Sequence, residues 1–337
     1  MDTDILKTIA QAMVASGKGI LAADESTKTI AKRFEKISLA STPETNLAYR
    51  KMLFTTPGIE EFISGVILYD ETIRQLLPFE SGVIADQSVP KYLESIGILP
   101  GIKVDKGAWR MANFPGEKIT EGLDELRDRL IEYKGLGARF AKWRAVITIG
   151  EGIPTDTCIE SNAEVLARYA VLCQEQSIVP IVEPEVLMDG GHDLARCKDV
   201  TTRVLKAVFE KLKAHKILLE GMILKPNMII SGKESAVKAS PQEIAKATIE
   251  TLLEMVPKEV PGIVFLSGGQ TPDEATENLA EISKIGGPWQ LSYSYGRALQ
   301  DEALTAWAGK EENVAVAQKA FFERAKKVSA ARSAKPA

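Results

Sequence analysis

The residues of this sequence best placed to do chemistry are ionisable side chains set inside apolar runs. Lys225 stands in GMILKPNMI, Lys142 and Arg144 in RFAKWRAVI, and Glu183 and Glu185 in IVPIVEPEV. Asp24 closes GILAAD, and Lys103 lies near the end of GILPGIKV. A charge among apolar neighbours is costly unless paired, so each is either half of a structural ion pair or part of a wet cavity. Residues two apart on a strand share a face, which aligns Lys142 with Arg144 and Glu183 with Glu185. If these faces meet, amine chemistry becomes available. Lys225 is the candidate nucleophile, because apolar neighbours desolvate it and a second ammonium at Lys142 favours its neutral form. A neutral amine adds to a ketone to give a carbinolamine and then an iminium, an electron sink for breaking the adjacent carbon–carbon bond. Glu183 and Asp24 are the candidate acid and base, with Lys142 positioning and neutralising charge around them.

Anion capture has its own candidates. FLSGGQTPDE places Ser267 and Gly268 just before a helix start at Thr271 or Pro272, and SYGRALQ places Ser294, Gly296 and Arg297 before another. Small residues expose backbone N–H groups, helix starts attract anions, and arginine supplies a bidentate donor. A second anion site is available from Ser26, Lys28, Thr29, Arg33 and Lys103. Its plain alternative is an ordinary helix start capped by Ser26 or Thr27.

These side chains need elements to hold them. Eight short apolar runs alternate with helical patterns: residues 19–24, 62–69, 97–104, 139–147, 178–186, 221–229, 262–269 and 288–296. The clearest helical patterns cover 162–176, 194–216, 241–256 and 271–285, with Ser240 and Thr271 as helix starts before prolines. Eight strands separated by helices predict a closed parallel α/β barrel with its site at the carboxyl ends of the strands. The rival, an open doubly wound sheet, lacks a glycine-rich loop after a strand. The first twenty residues read as an amphipathic helix stopped at Gly17, and the 25–61 connection holds a helix over LAYRKML. The expectation is one barrel domain over 1–337, with a flexible tail over 330–337 where the composition turns small and basic.

Composition narrows the function. With 337 residues, 45% of them hydrophobic, the chain can bury a large core. Lys plus Arg total 42 against 46 Asp plus Glu, a formal net charge of -4, which argues against nucleic acid or an anionic membrane as partner. Cys158, Cys173 and Cys197 are widely spaced, and only His192 and His215 are available as imidazoles. That is poor material for a metal site or a disulfide framework, so no metal and no cofactor are expected. The first twenty residues lack the pattern of a signal peptide, and no apolar run reaches the roughly 18 residues of a membrane span. A cytoplasmic protein is the expectation.

In order and spacing, eight stretches together resemble the class I fructose-bisphosphate aldolases: GKGILAADESTKTIAKRF, FISGVILYDET, GIKVDKG, FAKWRAVITIG, IVPIVEPEVLMDGGHDL, LEGMILKPNMI, FLSGGQTPDEAT and LSYSYGRALQDEALTAWAGK. The resemblance runs from about Gly17 to Ser329. It implies a (β/α)8 TIM barrel with additional N- and C-terminal helices, acting without metal or cofactor. The implied reaction is reversible cleavage of fructose 1,6-bisphosphate, with sugar bisphosphate and triose phosphates as partners, in a homo-oligomer, commonly a tetramer. By motif, Lys225 resembles the Schiff-base lysine and Glu183 the acid–base carboxylate. Asp24 and Lys142 resemble the pair that handles the carbon 4 hydroxyl and local charge, and Glu185 a supporting carboxylate. Ser267, Gly268, Gly296 and Arg297 resemble the grip on the carbon 1 phosphate. Ser26, Arg33, Lys103 and Arg144 resemble the region engaging the other end of the sugar.

Two departures accompany the resemblance. Animal-type members commonly carry Gly-Ser after ADEST, where this chain has Lys28 and Thr29; the added amine either strengthens anion binding there or points outward. Such members also end in a mobile tail with a terminal tyrosine, whereas this sequence ends Lys335, Pro336, Ala337. Another group then carries the enamine proton step, or that step is slower, and deleting the last eight residues is expected to change cleavage little. A transaldolase-like enzyme and a non-catalytic binding barrel stand as the alternatives at this point, and the preference among fructose 1,6-bisphosphate, fructose 1-phosphate and sedoheptulose bisphosphate stays open.

Overall fold

Each of the eight apolar runs becomes one strand of a closed parallel barrel in the computed structural model, which describes residues 1–78 and 87–334. The barrel strands are β1 (Gly19–Ala23), β2 (Ile63–Leu68), β3 (Leu99–Lys103), β4 (Phe140–Ile147), β5 (Val179–Val186), β6 (Ile223–Leu224), β7 (Gly262–Phe265) and β8 (Gln290–Tyr295). They follow one another in chain order around the barrel, and β8 closes it by pairing with β1. Register sets the charged residues at similar heights: Lys103 pairs with Lys142, Arg144 with Glu183, and Val146 with Glu185.

Strand β6 is shorter than its apolar run. Pro226 has no N–H to give to the ladder, so regular pairing stops at Leu224. The chain is still held there, because Lys225 N donates to Val182 O at 2.8 Å and Leu266 N donates to Pro226 O at 3.2 Å. Lys225 therefore sits on backbone pinned from both neighbouring strands.

The barrel interior is divided by height. Ile20, Ala22, Ile67, Phe140, Val179, Ile181, Ile223 and Val264 form an apolar cluster inside its lower end, as branched and aromatic side chains do in this architecture. Gly101 makes room for the Phe140 ring, which would stand 2.2 Å from a Cβ at that position. The helix Thr3–Met13, capped by Asp2, packs Leu6, Ala10 and Met13 into the same cluster and covers the amino end of the barrel. Gly17, with φ +73, turns the chain from this helix into β1. Polar space is thus confined to the carboxyl end. The larger outer core, with Trp143, Tyr169, Phe265 and Tyr295 fully buried, lies between strands and the surrounding helices.

Those helices include Asp156–Glu175, Leu194–Ala214, Pro241–Met255 and Pro272–Ile285. Ser240 with Glu243, and Thr271 with Glu274, form capping boxes at the two starts read from the sequence. The 25–61 connection contains two helices, Thr27–Glu35 and Pro43–Phe54, where one was expected. Two small antiparallel pairs, Leu76–Leu77 with Gln87–Ser88 and Ala108–Arg110 with Lys118–Thr120, were not legible as strands because each is only two or three residues long.

The tail expectation is corrected over residues 330–332. The helix Val314–Arg332 runs through the start of the 330–337 segment, and Arg332 is buried. Its guanidinium donates to Val14 O at 2.6 Å, to Leu291 O at 2.9 Å, and to the carbonyls of Ala15 and Lys18, while Ser329 Oγ donates to Gly17 O at 2.5 Å. Small, basic composition resembles a linker, but here the arginine ties together carbonyls of the segment leading into β1 and of β8. Residues 335–337, and with them the expectation about the chain terminus, lie outside the described residues.

Candidate active site

At the carboxyl end of the strands a cavity of about 750 Å³ is lined by every residue given a catalytic or phosphate-binding role in the resemblance. Asp24, Lys142, Glu183, Glu185 and Lys225 meet there with Ser26, Arg33, Lys103, Arg144, Ser267, Gly268, Ser294, Gly296 and Arg297. Lys28 is exposed and is not among the lining residues, which answers the question raised by its position in favour of pointing outward.

The centre is a line of four buried charges drawn from four strands. Lys225 Nζ lies 3.1 Å from Glu183 Oε1, Glu183 Oε2 lies 3.3 Å from Lys142 Nζ, and Lys142 Nζ lies 2.7 Å from Asp24 Oδ2 across the lumen. Side-chain exposure is 4–5% for the first three and 13% for Asp24, so solvent reaches the line at the Asp24 end. Burial alone would push both carboxylates toward protonation. Lys142 and then Lys225 outweigh it, holding Asp24 and Glu183 below the ordinary carboxylate range. Burial likewise works against a charged Lys142, but Asp24, Glu183 and Asp105 raise it above the usual lysine value. Lys142 is therefore a fixed cation. The sequence reading set Lys142 directly against Lys225; the structure inserts Glu183 between them, one oxygen on each nitrogen, so the carboxylate screens that repulsion.

Around this line each cation of one flank has an acidic partner. Arg144 pairs with Glu185, Arg33 with Glu25, and Lys103 Nζ with Asp105 Oδ1 at 2.6 Å. Burial opposes the Arg144 charge, but Glu185 and Glu183 raise its affinity for the proton further. Glu25 and Asp105 were missed in the sequence. Asp105 follows Lys103 by two residues on the same face, a signal that was present. It also accepts from Gly107 N at 3.1 Å and Arg144 N at 3.3 Å. Glu25 adjoins Asp24 with no pattern marking it, and only folding brings Arg33 to it.

The opposite flank offers unpaired donors. Gly268 lies under Glu185, whose Oε1 would be 2.7 Å from a Cβ there, so any larger residue would displace that carboxylate. The helix Arg297–Trp307 starts at Gly296 with no side-chain cap, leaving its first N–H groups and its positive end toward the cavity. Arg297 is exposed at the rim, and Ser294 Oγ is buried without a hydrogen-bond partner among the described residues. At the other flank Ser26 occupies the N-cap position of Thr27–Glu35, yet its hydroxyl bonds Thr29 Oγ1 at 3.0 Å and caps no backbone N–H. Both helix starts therefore keep amides for an anion. A shoulder of the cavity formed by Tyr69, Asp70, Arg74, Arg129 and Tyr133 went unnoticed in the sequence, since residues beyond the second strand and on a later helix build it.

Among the described residues no group of three or more His, Cys, Asp or Glu is arranged to hold a metal ion, and no helix is long and apolar enough to cross a membrane. Comparison with known proteins gives a consistent picture. The family model described as "Glycolytic: Fructose-bisphosphate aldolase class-I" matches residues 5–336. A "Probable fructose-bisphosphate aldolase class 1" from Xanthomonas campestris is 55% identical over 328 residues, covering 97% of this chain and 96% of the relative. "Fructose-bisphosphate aldolase 4, cytosolic" from Arabidopsis thaliana is 52% identical over 312 residues, covering 92% of this chain and 78% of the relative. Among solved structures, fructose-bisphosphate aldolase from Plasmodium falciparum, crystallised with TRAP and a small-molecule inhibitor, superposes with a TM-score of 0.95 at 48% identity, covering 99% of this chain and 96% of that one.

Proposed function

The chain belongs to the class I fructose-bisphosphate aldolases and reversibly cleaves fructose 1,6-bisphosphate to dihydroxyacetone phosphate and glyceraldehyde 3-phosphate through a lysine Schiff base; on that premise we propose the roles of its own residues. Membership removes the transaldolase-like and non-catalytic readings. The observation that carries the assignment is the buried line Lys225, Glu183, Lys142, Asp24, closed to solvent at the lysine end.

Lys225 is the nucleophile. Glu183 Oε1, 3.1 Å from its nitrogen, takes the ammonium proton, and the freed amine adds to the carbon 2 ketone. Glu183 then gives the proton to the carbinolamine hydroxyl, which leaves as water while the nitrogen lone pair forms the iminium. Asp24 removes the proton from the carbon 4 hydroxyl. The oxygen electrons form the aldehyde carbonyl, the carbon 3–carbon 4 bond breaks, and its electron pair moves into the iminium to give an enamine. Protonation at carbon 3 and hydrolysis release dihydroxyacetone phosphate and return Lys225. Lys142 keeps Asp24 ionised and oriented, and Glu185 supports Arg144.

Ser267, Gly268, Ser294, Gly296 and Arg297 take the carbon 1 phosphate, supported by the uncapped helix start and the partnerless Ser294 hydroxyl. Ser26, Arg33, Lys103 and Arg144 take the second phosphate. Three of these are cations already neutralised by Glu25, Asp105 and Glu185, so this flank is the weaker grip. Family membership supports assembly as a homo-oligomer, a tetramer, which sedimentation velocity tests, and the cytosolic plant relatives support a cytoplasmic address.

The assignment is tested by borohydride reduction with dihydroxyacetone phosphate in the presence of a chelator, followed by peptide mass analysis. The expected adduct sits on Lys225, and Lys225→Met loses both adduct and nearly all cleavage while keeping its circular dichroism. Trapping on another lysine, or substantial turnover by the folded variant, would overturn the assignment.

A further inference from the structure

Gln300 lies on the helix that begins at Arg297, is 1% exposed, and joins three other elements. Its Oε1 accepts from Arg33 Nη1 at 3.1 Å and from Tyr49 Oη at 3.1 Å, and its Nε2 donates to Ala22 O at 2.7 Å. A side-chain amide presents acceptor and donor together without charge. Glutamate of the same shape would set a carboxylate oxygen against the Ala22 carbonyl.

The Arg33 guanidinium lies close against Gly296 at the cavity. A Cβ at Gly296 would stand 3.3 Å from Arg33 Nη2 and 3.4 Å from Ala22 O. Arg33 Nη1 is shared between Gln300 and Glu25, whereas its Nε is buried with no hydrogen-bond partner among the described residues. Gln300 and Glu25 thus hold one corner of the guanidinium and leave the Nε–Nη2 edge, the bidentate one, for an anion. With Glu25 alone as partner, the guanidinium is free to turn that edge onto the carboxylate. No hydrogen bond links Gln300 to Lys225, Glu183 or Asp24.

We infer that Gln300 is a positioning residue that aims Arg33 and thereby sets affinity for the phosphate farther from Lys225, the one carried by glyceraldehyde 3-phosphate. The inference rests on the proposed assignment of Arg33 to that phosphate. It makes Gln300 a determinant of bisphosphate recognition through a residue on a different helix.

The test is condensation kinetics with each triose phosphate varied in turn. In Gln300→Leu the KM for glyceraldehyde 3-phosphate rises about tenfold or more, the effect of one lost hydrogen bond to a charged group. The KM for dihydroxyacetone phosphate and the maximal rate stay within about twofold, and unphosphorylated glyceraldehyde is used as by the parent. Gln300→Glu keeps the shape, follows the same pattern, and keeps the test decisive if leucine disturbs packing. Equal losses for both trioses would make Gln300 merely structural and overturn the inference, as would no change. Arg33→Met, assayed alongside, separates the two claims. A glyceraldehyde 3-phosphate-selective loss there beside unchanged Gln300 variants overturns the positioning role alone. No selective loss in Arg33→Met overturns the assignment of Arg33, and the inference with it.

Discussion

Replacing Lys142 with methionine removes an ammonium from between two carboxylates while keeping an unbranched side chain of similar length. Glu183 retains Lys225 at 3.1 Å, but Asp24 loses its only ion-pair partner among the described residues, the nitrogen 2.7 Å away. Breaking a buried pair by deleting one member costs about 3–5 kcal/mol. Unfolding entropy of about 2.1 cal/mol/K per residue gives ~0.7 kcal/mol/K for 337 residues, so Tm should fall by about 4–7 °C near neutral pH. The pH dependence fixes the cause. In the parent, burial pushes Asp24 up and Lys142 pulls it lower still, so its contribution is present above the ordinary Asp range and lost only as pH falls through the depressed value. Without Lys142, only Lys225 and Lys103 remain to oppose burial, and the folded state is expected to hold the Asp24 proton more tightly than it does in the parent. The deficit is then full at neutral pH and shrinks as pH falls through the raised value. Thermal melts of parent and variant at about pH 7.5 and about pH 5 read this directly. Turnover in the variant should fall by about 10²-fold or more, since Asp24 loses both charge and orientation. No loss of Tm near neutral pH, or the same loss at both values, would refute the reasoning.

Glu183→Gln keeps the shape of the side chain but can neither take the Lys225 proton nor return it to the carbinolamine. Its turnover should drop by about 10²–10⁴-fold, with slower borohydride trapping on Lys225; a near-normal trapping rate would assign that proton transfer to another group. Truncation after Ser329 should lower Tm, because each buried carbonyl left by Arg332 costs about 1–3 kcal/mol if unpaired. Truncation after Ala334 keeps that arginine and should melt like the full chain, and the comparison by calorimetry checks the anchoring role.

Much of this molecule was legible in the residue order. Strand-length apolar runs at regular intervals imply eight strands, and proline after serine or threonine marks the starts at Pro241 and Pro272. Lys225, Glu183, Lys142 and Asp24 were visible because a charge inside a strand run contradicts its surroundings, and the alternation of strand faces said which of them point together. What local order could not supply was pairing. Glu183 stands between two lysines because the register of β5 against β4 and the closure of the barrel put it there. Arg33 meets Gln300, separated from it by 267 positions, only after β8 has returned to β1. Arg332 looked like a tail residue, since composition reports what a segment contains and not which carbonyls it will reach. Type and periodicity are properties of the chain and can be read along it. The distances that turn a lysine, two carboxylates and an arginine into a reaction centre arise from long-range closure, which only the folded barrel decides.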